Sequence, residues 1–256
     1  MRIRRGHFIL AAFLIALTGG TLAFWAHGMD IVGETAGIDP NVFNFVRIRY
    51  NGFVGVGMWG AGNWGAPPWA HDWPRAERNF LKILSELTLV ETTPDSHLIL
   101  DLHDSAIMRY PILYVSEPGY WNCTDAEIEN LREYLNRGGF VHFDDFRDHP
   151  GEWENFSSCM KRVFPDRDLE VLTVDHPVFH CFFDIDSLDM VPPYPVPGPP
   201  VFYGMSDDSG RLQVVANFNN DIGDYWEWSD MNLAPIELSN EAYRFGVNYI
   251  IYALTH

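Results

Sequence analysis

An open, mostly parallel α/β sheet with helices on both faces and an antiparallel edge hairpin is the fold class this sequence predicts. Three observations carry it. From residue 43 onward, apolar runs of strand length alternate with stretches of helical periodicity. One of these runs, PILYVS at residues 111–116, is apolar without alternation, as in parallel strands buried on both faces. Two later runs, residues 201–205 and 211–218, are joined by Asp207-Asp208-Ser209-Gly210, which reads as a hairpin turn.

The first segment stands outside that domain. Arg2, Arg4 and Arg5 precede an uncharged apolar run over residues 8–24, which is the order of an export signal. Residues 1–28 therefore read as a signal peptide or signal anchor. Ala26-His27-Gly28 offers a small-residue cleavage site, yet the run is almost long enough to span a bilayer. The expected location is the periplasm or cell envelope, with membrane contact only through residues 8–24 if the leader stays attached. Residues 29–42 read as a short linker and residues 43–256 as one α/β domain, with no internal repeat and length enough for one large core.

Within the domain, FNFVRIRY at residues 43–50 alternates apolar and polar residues and reads as the first strand. Residues 52–69, rich in Gly, Trp and Pro, read as a loop; with Trp59, Trp64, Trp69 and Trp73 this region is either a lid or packing. Residues 76–87 carry helical spacing, and a short strand is expected at 89–91. After the strand at 111–116, Thr124 with Glu127 forms a capping-box pattern opening a helix that Gly138-Gly139 ends. A strand at 140–143, a helix at about 151–163 and strand-like pieces at 169–174 and 179–185 follow. A proline-rich link at 191–200 leads to the hairpin, and a closing helix spans 239–254.

The composition excludes some partners. Seventeen basic against 35 acidic residues give a net charge of −18, and loss of the three leader arginines takes it to −21, which argues against a phosphate-backbone ligand such as nucleic acid. No cofactor motif is read. Cys123, Cys159 and Cys181 lack metal-ligand spacing; three buried thiols are expected, with one disulfide as the alternative in an oxidising compartment.

Sites in such sheets gather at the carboxyl ends of strands. Three strand ends carry chemistry. The first offers Glu117, Tyr120 and Trp121; the second Asp144, Asp145 and Trp153; the third Asn217, Asn219, Asp221 and Trp226. Asp144 or Asp145, with Glu117 or Asp221, could make a hard-cation site or an acid/base pair, and with Glu117 or His176 could supply the acid/base groups of an enzyme. The competing reading makes one of the aspartates a helix cap. On an extended strand Asn217, Asn219 and Asp221 would share one side and suit a hydroxyl-rich ligand beside stacking indoles; an Asx-turn cluster is the alternative. His142 reads as a satisfied core histidine, and Asp175-His176-Pro177 as a turn.

The runs FVRIRY, PRAERNFLKILSEL, YPILYVSEPGYW, LREYLNRGGFVHFDDF, EWENF, VFPDR, DHPVFH, NFNNDIGDYWEW and AYRFGVNYIIYALTH together resemble the bacterial family called domain of unknown function 4159, over about residues 43–256. In layout the chain is more remotely similar to class I glutamine amidotransferase-like and trehalose-utilisation (ThuA-like) domains, with flavodoxin-like layering. That similarity implies a fold only. Amidotransferases need a Cys nucleophile and a His within reach, and the strand end reading His142-Phe143-Asp144-Asp145-Phe146 has no Cys, so glutaminase activity is not expected. The expected function is a non-catalytic module binding a polar small molecule, carbohydrate or envelope protein. A metal-assisted or carboxylate-dependent hydrolase or sugar-modifying enzyme is the alternative.

Overall fold

The computed structural model describes residue 39 and residues 41–52 and 67–256. The expected export segment, most of the linker, and residues 53–66 of the Trp-rich loop with Trp59 and Trp64 lie outside the described residues. Among the described residues no helix is long and apolar enough to cross a membrane.

Among the described residues seven strands form one sheet in the order β2-β1-β3-β4-β7-β6-β5: β1 Phe45–Arg49, β2 His97–Asp101, β3 Ile112–Ser116, β4 Phe140–Phe146, β5 Glu170–Val171, β6 Val201–Ser206 and β7 Leu212–Phe218. The first five strands in that order run parallel, whereas β6 is antiparallel to both β7 and β5. Every residue of β3, β4 and β7 is buried, and in β3 this gives the continuous apolar run read in the sequence, whereas β4 and β7 also bury His142, Asp144, Asp145, Gln213 and Asn217.

Five helices complete the described fold: α1 Arg75–Leu87, α2 Asp125–Asn136, α3 Glu152–Val163, α4 Ile222–Trp228 and α5 Ile236–Thr255. Successive residues of β4 show that both faces are covered, since side chains alternate along a strand. His142 packs against Tyr249 of α5 and Trp226 of α4, while Phe143 packs against Phe156 of α3. The α1/α4/α5 side holds an aromatic core in which Phe80, Tyr114, Trp226 and Phe45 touch edge to face or tilted. Helix α2 opens on the expected capping box: Thr124 Oγ1 accepts from Glu127 N, and Glu127 Oε2 accepts from Thr124 N at 3.0 Å.

Four expectations are corrected. Residues 89–91 form no strand, and Leu89 is fully exposed; the edge strand is β2, displaced downstream. Residues 179–185 form no strand either, because His176-Pro177 opens a 3-10 turn, and only two residues of 169–174 pair as β5. A helix missed in the sequence, α4, follows β7 directly. Cys123 and Cys159 form a disulfide, so only Cys181 is a free thiol.

Candidate functional site

Strands β1, β3, β4 and β7 run parallel, so their carboxyl ends meet along one rim. Among the described residues five non-glycine residues take positive φ, and four stand on this rim: Asp72 (65°), Glu117 (48°), Asp145 (56°) and Asn219 (55°). Left-handed backbone costs about 1–3 kcal/mol per residue and persists where the surroundings impose it.

Each turn has a visible cause. Arg47, buried in mid-β1, donates through Nη1 to the carbonyls of Trp69 (3.0 Å) and His71 (2.7 Å) and through Nε to Glu77 of α1, which draws the segment after β1 onto the rim. Glu117 ends β3; its N–H donates to Asp144 O at 3.0 Å, and its carbonyl accepts from Tyr50 Oη at 2.7 Å. The β4–β7 register shifts between Phe143 and Phe146, which turns Asp145 out of the pleat. Asn219 N donates to Phe146 O at 2.8 Å, closing β7, and Asp221 then caps α4 by accepting from Asp224 N at 2.8 Å.

The carboxylates collected this way divide into satisfied and orphaned groups. Asp144 Oδ2 accepts from Ile222 N (3.0 Å), Gly223 N (2.9 Å) and Tyr114 Oη (3.1 Å), and its Oδ1 accepts from Asn217 Nδ2 at 3.1 Å. Burial and the neighbouring Asp145 still push Asp144 up to about 7. Asp145 accepts from His71 Nδ1 (2.7 Å), Arg147 Nη2 (3.0 Å) and Tyr194 Oη (2.6 Å), with the Arg147 guanidinium 4.1 Å above the Tyr194 ring. Burial raises the Asp145 carboxyl, but His71 and Arg147 outweigh it and hold it near 2. Burial likewise works against a charged His71, yet Asp72 and Asp145 raise it to about 11.

The orphans are Asp72, whose two oxygens accept no hydrogen bond, Glu117 Oε1 and Asp221 Oδ2, all buried. Desolvation raises Asp72 to about 6 and Asp224 to about 9, and lifts Glu117 and Asp221 well above the carboxylate range. One ligand atom each from His71, Asp72, Asp221 and Asp224 lie within 4.8 Å of one another, as do atoms of His71, Glu117 and Asp145.

Of the residues singled out in the sequence, Glu117, Asp144, Asp145 and Asp221 meet here, and Tyr120 borders them, its hydroxyl 3.4 Å from Glu152. The common face expected for Asn217, Asn219 and Asp221 does not form, because the left-handed turn at Asn219 ends the strand alternation. Asn217 is spent on His142, Asp144 and Tyr249, and Asn219 on Asp148 N and the carbonyls of Pro197 and Pro199. Trp121 and Trp226 have no exposed surface to stack on a ligand, and Trp153 packs on Tyr203 and Phe218. His176 caps the Val178 turn and neighbours Tyr252, whose hydroxyl meets Leu212 N at the opposite end of the sheet. His142 is the satisfied core histidine expected: it accepts from Asn217 Nδ2 at 2.8 Å, and burial lowers it to about 3.

His71, Asp72, Arg147 and Tyr194 were missed. The available signal was position: His71-Asp72 precede α1 in the connection leaving the carboxyl end of β1, where the strand-end rule applies. A family model described as Domain of unknown function (DUF4159) matches residues 44–254. A search of curated proteins finds no match.

Proposed function

The chain belongs to the DUF4159 family, and we propose that it is an exported binding domain whose rim takes a polar ligand carrying positive charge. The observation that carries this is an imbalance. Asp72, Glu117, Asp144, Asp145, Asp221 and Asp224 are buried together against two cationic side chains, His71 and Arg147. Arg47 adds no surplus, being paired to Glu77. Buried carboxylates without partners are costly, and a cationic ligand relieves that cost. Export is supported by the basic, then apolar, amino terminus and by the Cys123–Cys159 disulfide, a bond that persists in oxidising compartments. The left-handed turns that end β3 and interrupt β4 carry Glu117 and Asp145, both carboxylates.

A second reading, carboxylate-dependent hydrolysis, is favoured by one feature: Glu117 is an orphaned carboxylate held on a strained turn beside His71 and Asp145.

The test is a thermal-shift series on the full chain with divalent metals, spermidine, neutral sugars and cell-wall fragments. A ligand that binds only the native state raises the melting temperature. Cations raise it and neutral sugars do not; Glu117→Gln and Asp145→Asn diminish the rise. Equal stabilisation by neutral sugars, or none by any cation, refutes the binding reading. Turnover of 4-nitrophenyl esters that Glu117→Gln abolishes would favour the hydrolase.

A further inference from the structure

Resting on the reading of the rim as a cation-binding site, the geometry points to a specific occupant: we propose that His71, Asp72, Asp221 and Asp224 ligate one divalent transition-metal ion, of the manganese or zinc type. The four residues come from two connections, the one after β1 and the one opening α4. Their ligand atoms already lie within 4.8 Å of one another. Metal–ligand bonds of about 2.0–2.2 Å place neighbouring ligand atoms roughly 3–4 Å apart, so closure on an ion needs shifts of only tenths of an ångström to about one.

The cluster is more than a patch of acids. Asp72 is 96% buried by its 4% exposure, and neither carboxylate oxygen accepts a hydrogen bond. Asp221 is wholly buried; Oδ1 accepts from Asp224 N, while Oδ2 is orphaned. His71 Nδ1 lies 3.2 Å from Asp72 Oδ1 and 4.0 Å from Asp221 Oδ2. Polar atoms this deep are almost always satisfied, and orphaned oxygens from two separate connections facing one another call for a common partner.

Space and donor chemistry choose the partner. A Cβ on Gly223 would come within 2.8 Å of Asp72 Oδ2 and 3.4 Å of Asp221 Oδ1, so on that side the oxygens leave no room for even one carbon. Oxygens closed in on that side suit a bare ion better than an alkyl ammonium. An imidazole nitrogen among three carboxylates favours a cation that accepts mixed nitrogen and oxygen ligands over calcium or magnesium. When the imidazole turns from Asp145 to the ion, Asp145 keeps Arg147 and Tyr194. Asp144 is outside the set, its Oδ2 being occupied by Ile222 N and Gly223 N at the opening of α4 and its Oδ1 by Asn217 Nδ2 of β7.

The experiment uses the full chain stripped with EDTA and titrated calorimetrically with MnCl2, ZnCl2, MgCl2 and CaCl2, alongside melting curves. One Mn2+ or Zn2+ binds per chain, at least tenfold tighter than Mg2+ or Ca2+. Asp72→Asn and Asp221→Asn each weaken it tenfold or more. The metal-free Asp72→Asn chain melts no lower than the parent, because one of several buried carboxylates crowded within 4.8 Å has been removed while His71 keeps Asp145; a merely structural Asp72 would give a lower melting temperature. His71→Gln, a milder change, removes the nitrogen coupling from the electron paramagnetic resonance spectrum of bound Mn2+. Absence of stoichiometric metal binding at millimolar concentration, or affinities unchanged in both aspartate variants, overturns the inference. If no metal binds but spermidine still stabilises the chain and Asp145→Asn abolishes that, the metal site falls and the broader binding reading survives; if no cation acts, both fall.

Discussion

Replacing Arg47 by Met separates what holds the fold from what holds the rim. Arg47 is 1% exposed in the middle of β1, and its guanidinium meets Glu77 on α1 and the carbonyls of Trp69 and His71. The methionine fills much of the same volume but leaves the Glu77 carboxylate buried without its cation, when one of its oxygens is already orphaned. Breaking one half of a buried ion pair costs about 3–5 kcal/mol, much of it from the stranded charge. Adding Glu77→Leu removes that charge, so the double variant recovers most of the loss, as apolar replacements of buried pairs often do. The two carbonyls nevertheless stay without a donor, and with them goes the registration of His71 and Asp72. Urea denaturation of the three chains and calorimetric titration with MnCl2 read the two effects separately: stability returns in the double variant while affinity stays at least tenfold weaker. A single variant costing less than about 1 kcal/mol, or a double variant with parental affinity, refutes the assignment of Arg47 as the residue that sets the rim.

Gly223→Ala places a carbon 2.6 Å from Tyr114 Oη and 2.8 Å from Asp72 Oδ2, so it costs about 1–3 kcal/mol in denaturation midpoint and weakens cation binding at the same time. His142 titrates near 3 in the fold against about 6.5 unfolded. Its contribution is present above pH 6.5 and is lost as pH falls toward 3, by up to about 1.4 kcal/mol per unit. Raised carboxyls such as Asp144 act with the opposite sign over their own window, gaining stability as pH falls. The difference between the parent and His142→Gln, which keeps an acceptor for Asn217, isolates the histidine: the parent's stability relative to the variant falls from pH 6.5 to 4, and a constant difference contradicts the assignment. Joint replacement of Cys123 and Cys159 by serine releases a closure over a sequence separation of 36 residues. That lowers stability by roughly 4 kcal/mol by chain entropy. A reductant reproduces the loss in the parent and adds nothing in the variant.

The fold was legible where burial alone decides the residue type. β3 was placed almost residue for residue because a strand covered on both faces admits little but apolar side chains, and β6 and β7 because the turn at Asp207-Asp208-Ser209-Gly210 marks where one ends and the other begins. β2 was lost because HLILD is short and polar at both ends, and the nearby Leu89 mimics an apolar strand start while standing in solvent. The site was half legible for the same physical reason. Acids at strand ends follow from the rule for parallel sheets, whereas His71, Asp72, Arg147 and Tyr194 reach the rim through backbone turns that residue type does not announce. Asp and Asn tolerate left-handed backbone, which fits Asp72, Asp145 and Asn219, but Glu117 has no such license. Its carbonyl is held by Tyr50 and its N–H by Asp144, so the surroundings impose the turn. Packing alone would favour a residue that takes the turn at lower cost, so the strained Glu117 with its orphaned oxygen is the residue the proposed cation-binding reading accounts for and a purely structural one does not.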